Sequence, residues 1–223
     1  VSVMEMTGAY ACIANGGTYY EPTYYTVVYD HDGNVLLDNR EKEGTRVLKE
    51  TTAYLLTDMM EDVITSGTGT AAQISGMTVA GKTGTTSDNV DLTFYGYTPY
   101  YTAGIWMGYD TSKEMTNVSG SAHLKIWKHV MSQIHANLPN KEFTRPDGIV
   151  TLSVCAASGA QPSSLCSQDY YGYSARSDLA AADFQRDDSV CTLHKSYTVC
   201  SETGKLAGPN CPNPISVVVA VKD

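Results

Sequence analysis

The stretch at residues 81–86, Gly-Lys-Thr-Gly-Thr-Thr, constrains the fold of this chain more than any other feature. An apolar run at residues 77–80 leads into it, and aromatic-rich segments at residues 94–97 and 100–109 follow it. Glycine inside a strand often marks a place where a ligand or another backbone approaches closely. A lysine and several hydroxyls on such a strand therefore suit a site that holds an anionic substrate along the edge of a sheet.

Length and charge narrow the class of protein. The chain has 223 residues, of which 42% are apolar, so it can form one good-sized domain with a core and a smaller appended unit. Its net charge of −9 argues against nucleic acid as a partner. No apolar run approaches the roughly 18 residues of a membrane span. Because Val1 is not Met and leads directly into helical periodicity, we interpret the chain as a fragment of a longer protein that carries any anchor.

Hydrophobic periodicity predicts helices and strands that alternate in groups. A first helix is expected from about residue 3 until Asn15-Gly16-Gly17 ends it, and two more are expected at 49–65 and 122–138. A hairpin is expected around Asp32-Gly33. Three further strands are expected at 77–85, 92–97 and 101–107, and their short connections favour an antiparallel meander. The predicted fold class is therefore α+β, an antiparallel sheet packed by helices.

A second region begins after a polar segment at 139–148, which contains two prolines and is interpreted as a linker between a domain at 1–138 and an extension at 149–223. The extension contains an internal repeat. Val154-Cys155-x-x-Ser158-Gly159 with Cys166 matches Val199-Cys200-x-x-Thr203-Gly204 with Cys211. The repeat predicts two small β-rich, hairpin-like units. One disulfide within each unit is an option, but the sequence leaves the pairing of the cysteines open.

Cysteine usage favours disulfides over a metal. Five of the six cysteines lie after residue 150, a distribution that suggests an oxidising compartment. Cys166, Cys191-x-x-His194 and Cys200 form an alternative set of zinc ligands, but the pattern lacks a second closely spaced pair. We therefore expect neither a metal nor a cofactor.

Two glycine motifs near the centre resemble nucleotide-binding patterns. Gly76-x-x-x-x-Gly81-Lys82-Thr83 matches the phosphate-binding loop letter for letter. That loop needs a strand before it and a helix after it, whereas here the strand-like residues lie inside the match and residues 85–89 are typical of a turn. Gly67-x-Gly69-x-x-Ala72 follows a predicted helix rather than a strand, so a helix cap is favoured over a dinucleotide site.

The tripeptide Lys82-Thr83-Gly84 is also an element of serine β-lactamases and penicillin-binding proteins. Three letters alone are equally compatible with a surface lysine in a turn, but this element lies on an apolar strand that enters a meander. Ser87-Asp88-Asn89 spells another element of the same proteins, yet it lies too close along the chain to reach the opposite wall of a cleft. We interpret it as a turn.

The combination of motifs over about residues 2–138 resembles the class A (bifunctional) penicillin-binding proteins. One departure is visible, because Thr93 stands where that family usually has Trp, at a place expected not to touch the lysine strand. The residues that carry the resemblance are Asn15-Gly16-Gly17, Pro22, Gly67-Thr68-Gly69-x-Ala71, Gly81 to Thr86, Asp88, Asp91, Phe94, Gly96-Tyr97-Thr98-Pro99, Trp106, Gly108-Tyr109-Asp110 and Ile126-Trp127-Lys128.

The resemblance implies a peptidoglycan D,D-transpeptidase on a partial serine β-lactamase-like fold, at the extracytoplasmic face of the bacterial membrane. A serine attacks the D-Ala–D-Ala bond of a stem peptide, and β-lactams acylate the same serine. That serine belongs to a Ser-x-x-Lys motif, and no serine of this chain has Lys three residues further on. The upstream half of the same domain is thus an expected partner, and the isolated chain is expected to be inactive.

The resemblance also assigns roles to residues 82–86. Lys82 would attract the terminal carboxylate of the substrate and take part in proton transfer. Hydroxyls of Thr83 and Thr85 would bond that carboxylate, and the Thr85 N–H would be one oxyanion donor. Gly84 would let substrate approach the backbone, and Thr86 completes the predicted substrate-binding set. The alternative on the same fold is a non-catalytic module that binds cell wall or a partner.

Overall fold

The computed structural model describes residues 1–184 and 189–221; the remaining residues of the predicted extension lie outside the described ranges. The chain divides into two compact units, Val1–Asp147 and Gly148–Asp223. The first unit is a mixture of helices and antiparallel strands, which confirms the predicted α+β class. Its helices are α1 (Val3–Ala14), α2 (Glu50–Thr65) and α3 (Ala122–Ile134), and its strands are β1 (Thr18–Tyr19), β2 (Val27–Tyr29), β3 (Val35–Asp38), β4 (Thr45–Arg46), β5 (Ala80–Thr85), β6 (Asp91–Tyr97) and β7 (Thr102–Gly108).

Local sequence explains where the first helix begins and ends. Ser2 and Glu5 form a reciprocal capping box, in which each side chain accepts a hydrogen bond from the other residue's backbone N–H. Gly16 and Gly17 follow the helix with φ of +63° and +91°, a conformation that L side chains rarely adopt. The predicted hairpin is confirmed as β2 and β3, which pair antiparallel around Gly33 at φ +84°.

The predicted meander is confirmed as a three-stranded antiparallel sheet in the order β5-β6-β7. Alternate residues of β6 face opposite sides of this sheet. Tyr95 stacks on Tyr10 of α1, with ring centroids 5.2 Å apart. On the other side, Phe94 meets Trp127 of α3 edge-on at 5.0 Å. The helices therefore cover both faces of the sheet.

Apolar side chains fill the space between the sheet and the helices. A buried cluster on the α3 side includes Phe94, Trp127 and Met131. On the α1 and α2 side, the buried Tyr97 hydroxyl lies 2.9 Å from the hydroxyl of Thr57, so this polar group is paired inside the core.

Strand β5 is shorter than the sequence predicts, because it begins at Ala80 rather than at residue 77. Thr78 N–H donates to Oδ1 of Asn140 at 2.9 Å instead of joining a ladder. Met77 and Val79 are buried in the core cluster beside this contact. Helix α3 is also shorter than predicted, ending at Ile134 shortly before Pro139, which cannot continue a helix.

The second unit contains two antiparallel strand pairs, each forming its own two-stranded sheet. Both copies of the sequence repeat adopt the same turn. Gly159 N–H donates to Cys155 O and Gly204 N–H donates to Cys200 O, each at 2.8 Å. The two copies of the repeat are therefore similar in structure as well as in sequence. The pairs are β8 (Ile149–Cys155) with β9 (Ala175–Ala181), and β10 (His194–Cys200) with β11 (Pro214–Ala220).

Candidate active site

The candidate site lies on β5, whose second edge is free because β6 is its one pairing partner among the described strands. Thr86 N–H donates to Asp91 O at 3.1 Å, in the same register that pairs Thr85 with Leu92. Bonded pairs alternate along an antiparallel ladder. It follows that the N–H and C=O groups of Thr83 and Thr85 point away from β6, toward the free edge.

The Lys82 ammonium lies at this free edge. Its Nζ donates to the carbonyl oxygen of Thr83 at 3.0 Å and lies 3.4 Å from the Thr83 hydroxyl. The Lys82 side chain is exposed, so its positive charge can meet a ligand from solvent. The Lys82 ammonium and the Thr83 carbonyl and hydroxyl groups therefore lie together at this edge.

The structure adds Thr68 to this group. Its hydroxyl lies 2.8 Å from the hydroxyl of Thr83. The glycines on either side fold the loop tightly against the end of α2, since Gly69 N–H donates to Val63 O at 2.8 Å and a Cβ at Gly67 would lie 2.8 Å from Val63 Cα. Gly67-Thr68-Gly69 is one of the motifs that carry the family resemblance, but the sequence alone did not assign a role to Thr68. The two glycines that flank the Thr68 hydroxyl were the sequence feature that could have indicated a role for this residue.

Thr85 and Thr86 occupy different environments at the end of β5. Thr85 is exposed, and its N–H faces the free edge as described above. The Thr86 hydroxyl accepts a hydrogen bond from Asp91 N–H at 2.8 Å, so it closes the turn between β5 and β6. Trp106 Nε1 donates to Asp91 Oδ1 at 2.8 Å, which ties this turn to β7. The predicted turn at Ser87–Asn89 is confirmed, and Asp88 and Asn89 in it adopt φ of +58° and +50°.

Gly84 is required by packing inside the sheet. It lies opposite Thr93, and a Cβ at Gly84 would come within 2.3 Å of Thr93 Oγ1. That hydroxyl also donates to Gly84 O at 3.4 Å. The expectation that Thr93 does not touch the lysine strand is therefore wrong, because antiparallel register places the two residues side by side.

The geometry does not provide a phosphate-binding loop. After β5 the chain forms the Ser87–Asn89 turn and then β6, so no helix N-terminus follows the Gly76–Thr83 match. Gly67 and Gly69 follow α2 and lead into a 3₁₀ helix at Thr70–Ala72, as the helix-cap interpretation predicts. Both nucleotide-binding alternatives lack their structural context.

Within the described ranges, the cluster of side chains that could hold a metal ion lies in the second unit. Cys155, Cys166, Cys191 and His194 are all buried, and their ligand atoms lie within 4.8 Å of one another. The predicted disulfides are not confirmed, since all six cysteines are free thiols. Cys200, which the sequence alternative included among zinc ligands, lies outside this group, and its thiol forms a hydrogen bond with the Cys211 thiol.

The pKa values of Cys166, Cys191 and Cys200 in this unit are shifted from those of a free thiol. Burial would raise the pKa of Cys191, but hydrogen bonds from His194 and Ser158 outweigh it and lower the pKa to about 6. Burial raises the pKa of Cys166. A hydrogen bond with Cys211 lowers the pKa of Cys200 to about 7. The cluster therefore contains one thiol that ionises readily near neutral pH.

Comparisons of the sequence with a family model and with known proteins point to the same family. Residues 1–132 match the model of the penicillin binding protein transpeptidase domain. The chain is 40% identical over 167 residues to penicillin-binding protein 1A of Clostridium perfringens, covering 75% of this chain and 20% of that protein. It is 35% identical over 212 residues to penicillin-binding protein 1A of Clostridium botulinum, covering 93% of this chain and 25% of that protein.

Solved structures agree with this assignment. The penicillin-binding protein PonA1 from Mycobacterium tuberculosis aligns with a TM-score of 0.58 and 29% identity, covering 65% of this chain and 41% of that one. PonA1 has also been solved in complex with penicillin V. Penicillin-binding protein 1A from Haemophilus influenzae shares the fold at a TM-score of 0.66 and 16% identity, covering 84% of this chain and 33% of that one.

The chain belongs to the penicillin-binding protein transpeptidase family, because the domain model matches more than half of it. Its similarity is to proteins named penicillin-binding protein 1A. It spans 20% and 25% of the length of the two clostridial relatives described above. None of the helices in the described ranges combines the length and apolar character that crossing a bilayer requires.

Proposed function

We propose that this chain forms one wall of a D,D-transpeptidase active site that cross-links the stem peptides of bacterial peptidoglycan. One observation carries the proposal: the free edge of β5 presents the Lys82 ammonium beside the Thr83 carbonyl at 3.0 Å. The Thr85 N–H faces the same edge by the alternation of the ladder. Charge, hydroxyl and main-chain donors thus share one edge of one strand.

Each group has a role in holding a peptide that ends in D-Ala–D-Ala. An extended stem peptide can add to the free edge through main-chain hydrogen bonds. The Lys82 ammonium attracts its terminal carboxylate, and the Thr83 and Thr85 hydroxyls donate to that carboxylate. Thr68 orients the Thr83 hydroxyl through their 2.8 Å contact. The Thr85 N–H stabilises the oxyanion of the tetrahedral intermediate.

The nucleophile comes from polypeptide outside these 223 residues, because no serine here has Lys three residues further on. That serine attacks the D-Ala–D-Ala carbonyl, releases D-alanine and passes the acyl group to an amine of a second stem peptide. β-Lactams acylate the same serine. The isolated chain is therefore inactive, its partner is the upstream half of its own domain, and the parent protein works at the extracytoplasmic face of the membrane.

The test is the rate at which labelled penicillin acylates the longer protein that contains this chain. Lys82→Ala should slow acylation by about 10²-fold or more, since an anchoring charge and a transition-state contact are lost together. Lys125→Ala is the matched control, because Lys125 is an exposed lysine on α3 of the same unit. Its acylation rate should equal that of the unchanged protein.

Acylation that proceeds equally fast after Lys82→Ala, in protein with an unchanged melting temperature, would remove the role given to Lys82. A folded parent protein that takes up no penicillin at all would favour the alternative of a non-catalytic module that binds cell wall or a partner. These two outcomes differ, so the experiment separates a wrong residue from a wrong function.

A further inference from the structure

Four buried side chains of the second unit converge on one point. Cys155 ends β8, Cys166 begins a 3₁₀ helix, Cys191 lies three residues before His194, and His194 begins β10. Their relative exposures are 1%, 0%, 6% and 3%, so water reaches none of them freely. Three thiols and an imidazole are soft and borderline ligands, of the kind that closed zinc sites use.

The distances within the cluster approach those of a zinc tetrahedron. His194 Nδ1 lies 3.3 Å from Cys191 Sγ and 3.6 Å from Cys155 Sγ. Zn–S and Zn–N bonds of about 2.3 and 2.0–2.1 Å at tetrahedral angles place neighbouring ligand atoms roughly 3.5–3.8 Å apart. All four ligand atoms lie within 4.8 Å of one another, so small side-chain adjustments complete the geometry.

A buried carboxylate holds the other side of the histidine. Asp169 Oδ2 lies 3.3 Å from His194 Nε2, and both side chains are 0% exposed. Asp169 is itself fixed by three backbone N–H donors, those of Tyr171 and Tyr173 at 2.9 Å and that of Ala220 at 3.0 Å. A carboxylate on one ring nitrogen directs the lone pair of the other toward a metal, as in many zinc sites.

A disulfide explains this arrangement less well. One disulfide among three cysteines leaves an odd thiol buried, and it gives no role to the buried His194 or to the carboxylate behind it. His194 Nε2 has no aligned hydrogen bond within the described ranges, and its neighbour Asp169 lies at ion-pair distance. A metal at Nδ1 would make the whole group a single connected unit.

We propose that Cys155, Cys166, Cys191 and His194 bind one Zn²⁺ ion as a structural site, with Asp169 positioning His194. On binding, the three thiols release their protons to solvent and coordinate as thiolates, while the imidazole coordinates through neutral Nδ1. Four protein ligands close the coordination sphere, so the site leaves no position for substrate. The ion joins β8 and β10, which belong to separate two-stranded sheets.

The experiment measures metal in the full chain, purified without chelator or affinity histidines. One zinc per chain by mass spectrometry is the expected result. Replacement by Co²⁺ should give the visible absorption of a tetrahedral ion, with thiolate charge-transfer intensity that corresponds to three sulfur ligands. This measurement uses the unchanged chain and holds whether or not any variant folds.

Matched variants assign the ligands. Cys166→Ser and His194→Ala should abolish stoichiometric zinc, and Asp169→Asn should weaken zinc affinity by about 10–100-fold because the histidine loses its positioning partner. Cys200→Ser and Cys211→Ser are the controls, since both thiols lie in the same unit but outside the cluster, and they should keep full zinc.

Three results would overturn the proposal. One is a folded chain with no stoichiometric metal after equilibration with zinc. Another is alkylation and mass mapping that find Cys155, Cys166 or Cys191 in a disulfide. The third is an equal loss of zinc in Cys200→Ser and Cys166→Ser. None of these results bears on penicillin acylation, so this proposal stands or fails separately from the proposed function.

Discussion

The two units of this chain are stabilised by different chemistry. In Val1–Asp147 the buried cluster beside α3 is built from large apolar side chains such as Phe94 and Trp127. In Gly148–Asp223 the corresponding cluster is built around Cys155, Cys166 and Cys191. The first unit packs helices on both faces of a three-stranded sheet, whereas the second has two separate strand pairs.

The difference indicates that apolar packing can stabilise the first unit by itself, whereas the second unit needs a further source of stability. A three-stranded sheet with helices on both faces buries enough apolar surface to be held by packing. A unit of roughly 75 residues with short two-stranded pairs falls near the size at which disulfides or metals usually supplement the core. We therefore expect the first unit to respond to core mutations and the second to respond to metal.

The largest effect is expected from Trp127→Ala. Trp127 is 3% exposed, packs edge-on against Phe94 and donates from Nε1 to Ala103 O at 2.9 Å. Its removal leaves a cavity and takes away the indole hydrogen bond to Ala103 O, so the free energy of unfolding of the first unit should fall by about 3–5 kcal/mol. Denaturant titration, followed by circular dichroism and by hydrogen exchange of β6 amides, measures this loss.

The control for this prediction is Ile126→Ala on the same helix, where the side chain is 47% exposed and the cost should stay within about 0.5 kcal/mol. A chelator should leave the cost of Trp127→Ala unchanged while removing amide protection in the second unit. Two results would contradict the proposed difference between the units. One is an equal loss of unfolding free energy in Trp127→Ala and Ile126→Ala, and the other is a loss of amide protection across β6 when chelator is added.

A smaller effect is expected from Gly84→Ala. The new methyl group would come within 2.3 Å of Thr93 Oγ1, so the sheet must shift or Thr93 must change rotamer. The expected destabilisation is about 1–2 kcal/mol. Thr93→Ala removes the clashing atom, and the double variant should recover at least about 0.5 kcal/mol in a double-mutant cycle. Additive costs would mean that Gly84 is required for another reason, such as the approach of substrate.

The smallest expected effect is on the pH dependence of stability, because the two units shift the pKa values of Glu61 and Asp169 in opposite directions. Burial raises the pKa of Glu61 on α2 to about 7, and the carboxylates of Asp58, Glu142 and Asp62 add to the rise. Burial acts in the same direction on Asp169, but the backbone N–H groups of Tyr173, Tyr171 and Ala220 outweigh it and lower its pKa. The two shifts have opposite signs, so Glu61 loses its contribution to stability as pH rises, whereas Asp169 loses its contribution as pH falls.

Because the folded state raises the pKa of Glu61 from 4.5 to about 7, its stabilising contribution is complete below pH 4.5 and is lost as pH rises through about 7. Thermal unfolding of the first unit between pH 5 and 8 should therefore show a small decline that Glu61→Gln flattens. The effect is small because the side chain is only partly buried. A decline that persists unchanged in Glu61→Gln would assign the pH dependence to another group.

Much of the fold could be predicted from local patterns. The period of apolar residues located all three helices of the first unit, and short connections between β-branched and aromatic runs predicted the meander. The strand that carries Lys82 was predicted at the correct place in the chain, and its register with β6 follows from a hairpin connection. The start of β5 could not be predicted, because Asn140, distant in sequence, binds Thr78 there.

The candidate sites were predictable to different degrees. Lys82, Thr83 and Thr85 could be proposed from a short motif because they lie within four residues of each other on one strand. Thr68 was overlooked because it approaches Thr83 only when the end of α2 packs beside β5. The cysteines of each repeat copy do come together, since Cys155 and Cys166 share one cluster and the Cys200 thiol hydrogen-bonds with Cys211. All are free thiols, so the disulfides are not confirmed, and equal spacing did not indicate that Cys191 and His194 join the first pair.

The amino-acid sequence by itself determined the elements of this protein and the identity of its lysine strand, since periodicity and consecutive motif residues are local properties. The tertiary structure alone decided which edge of β5 is free, that Thr93 touches Gly84, and that three cysteines and a histidine share one buried point with Asp169 behind them. These contacts join residues far apart in the chain, so only the packing of complete elements brings them together.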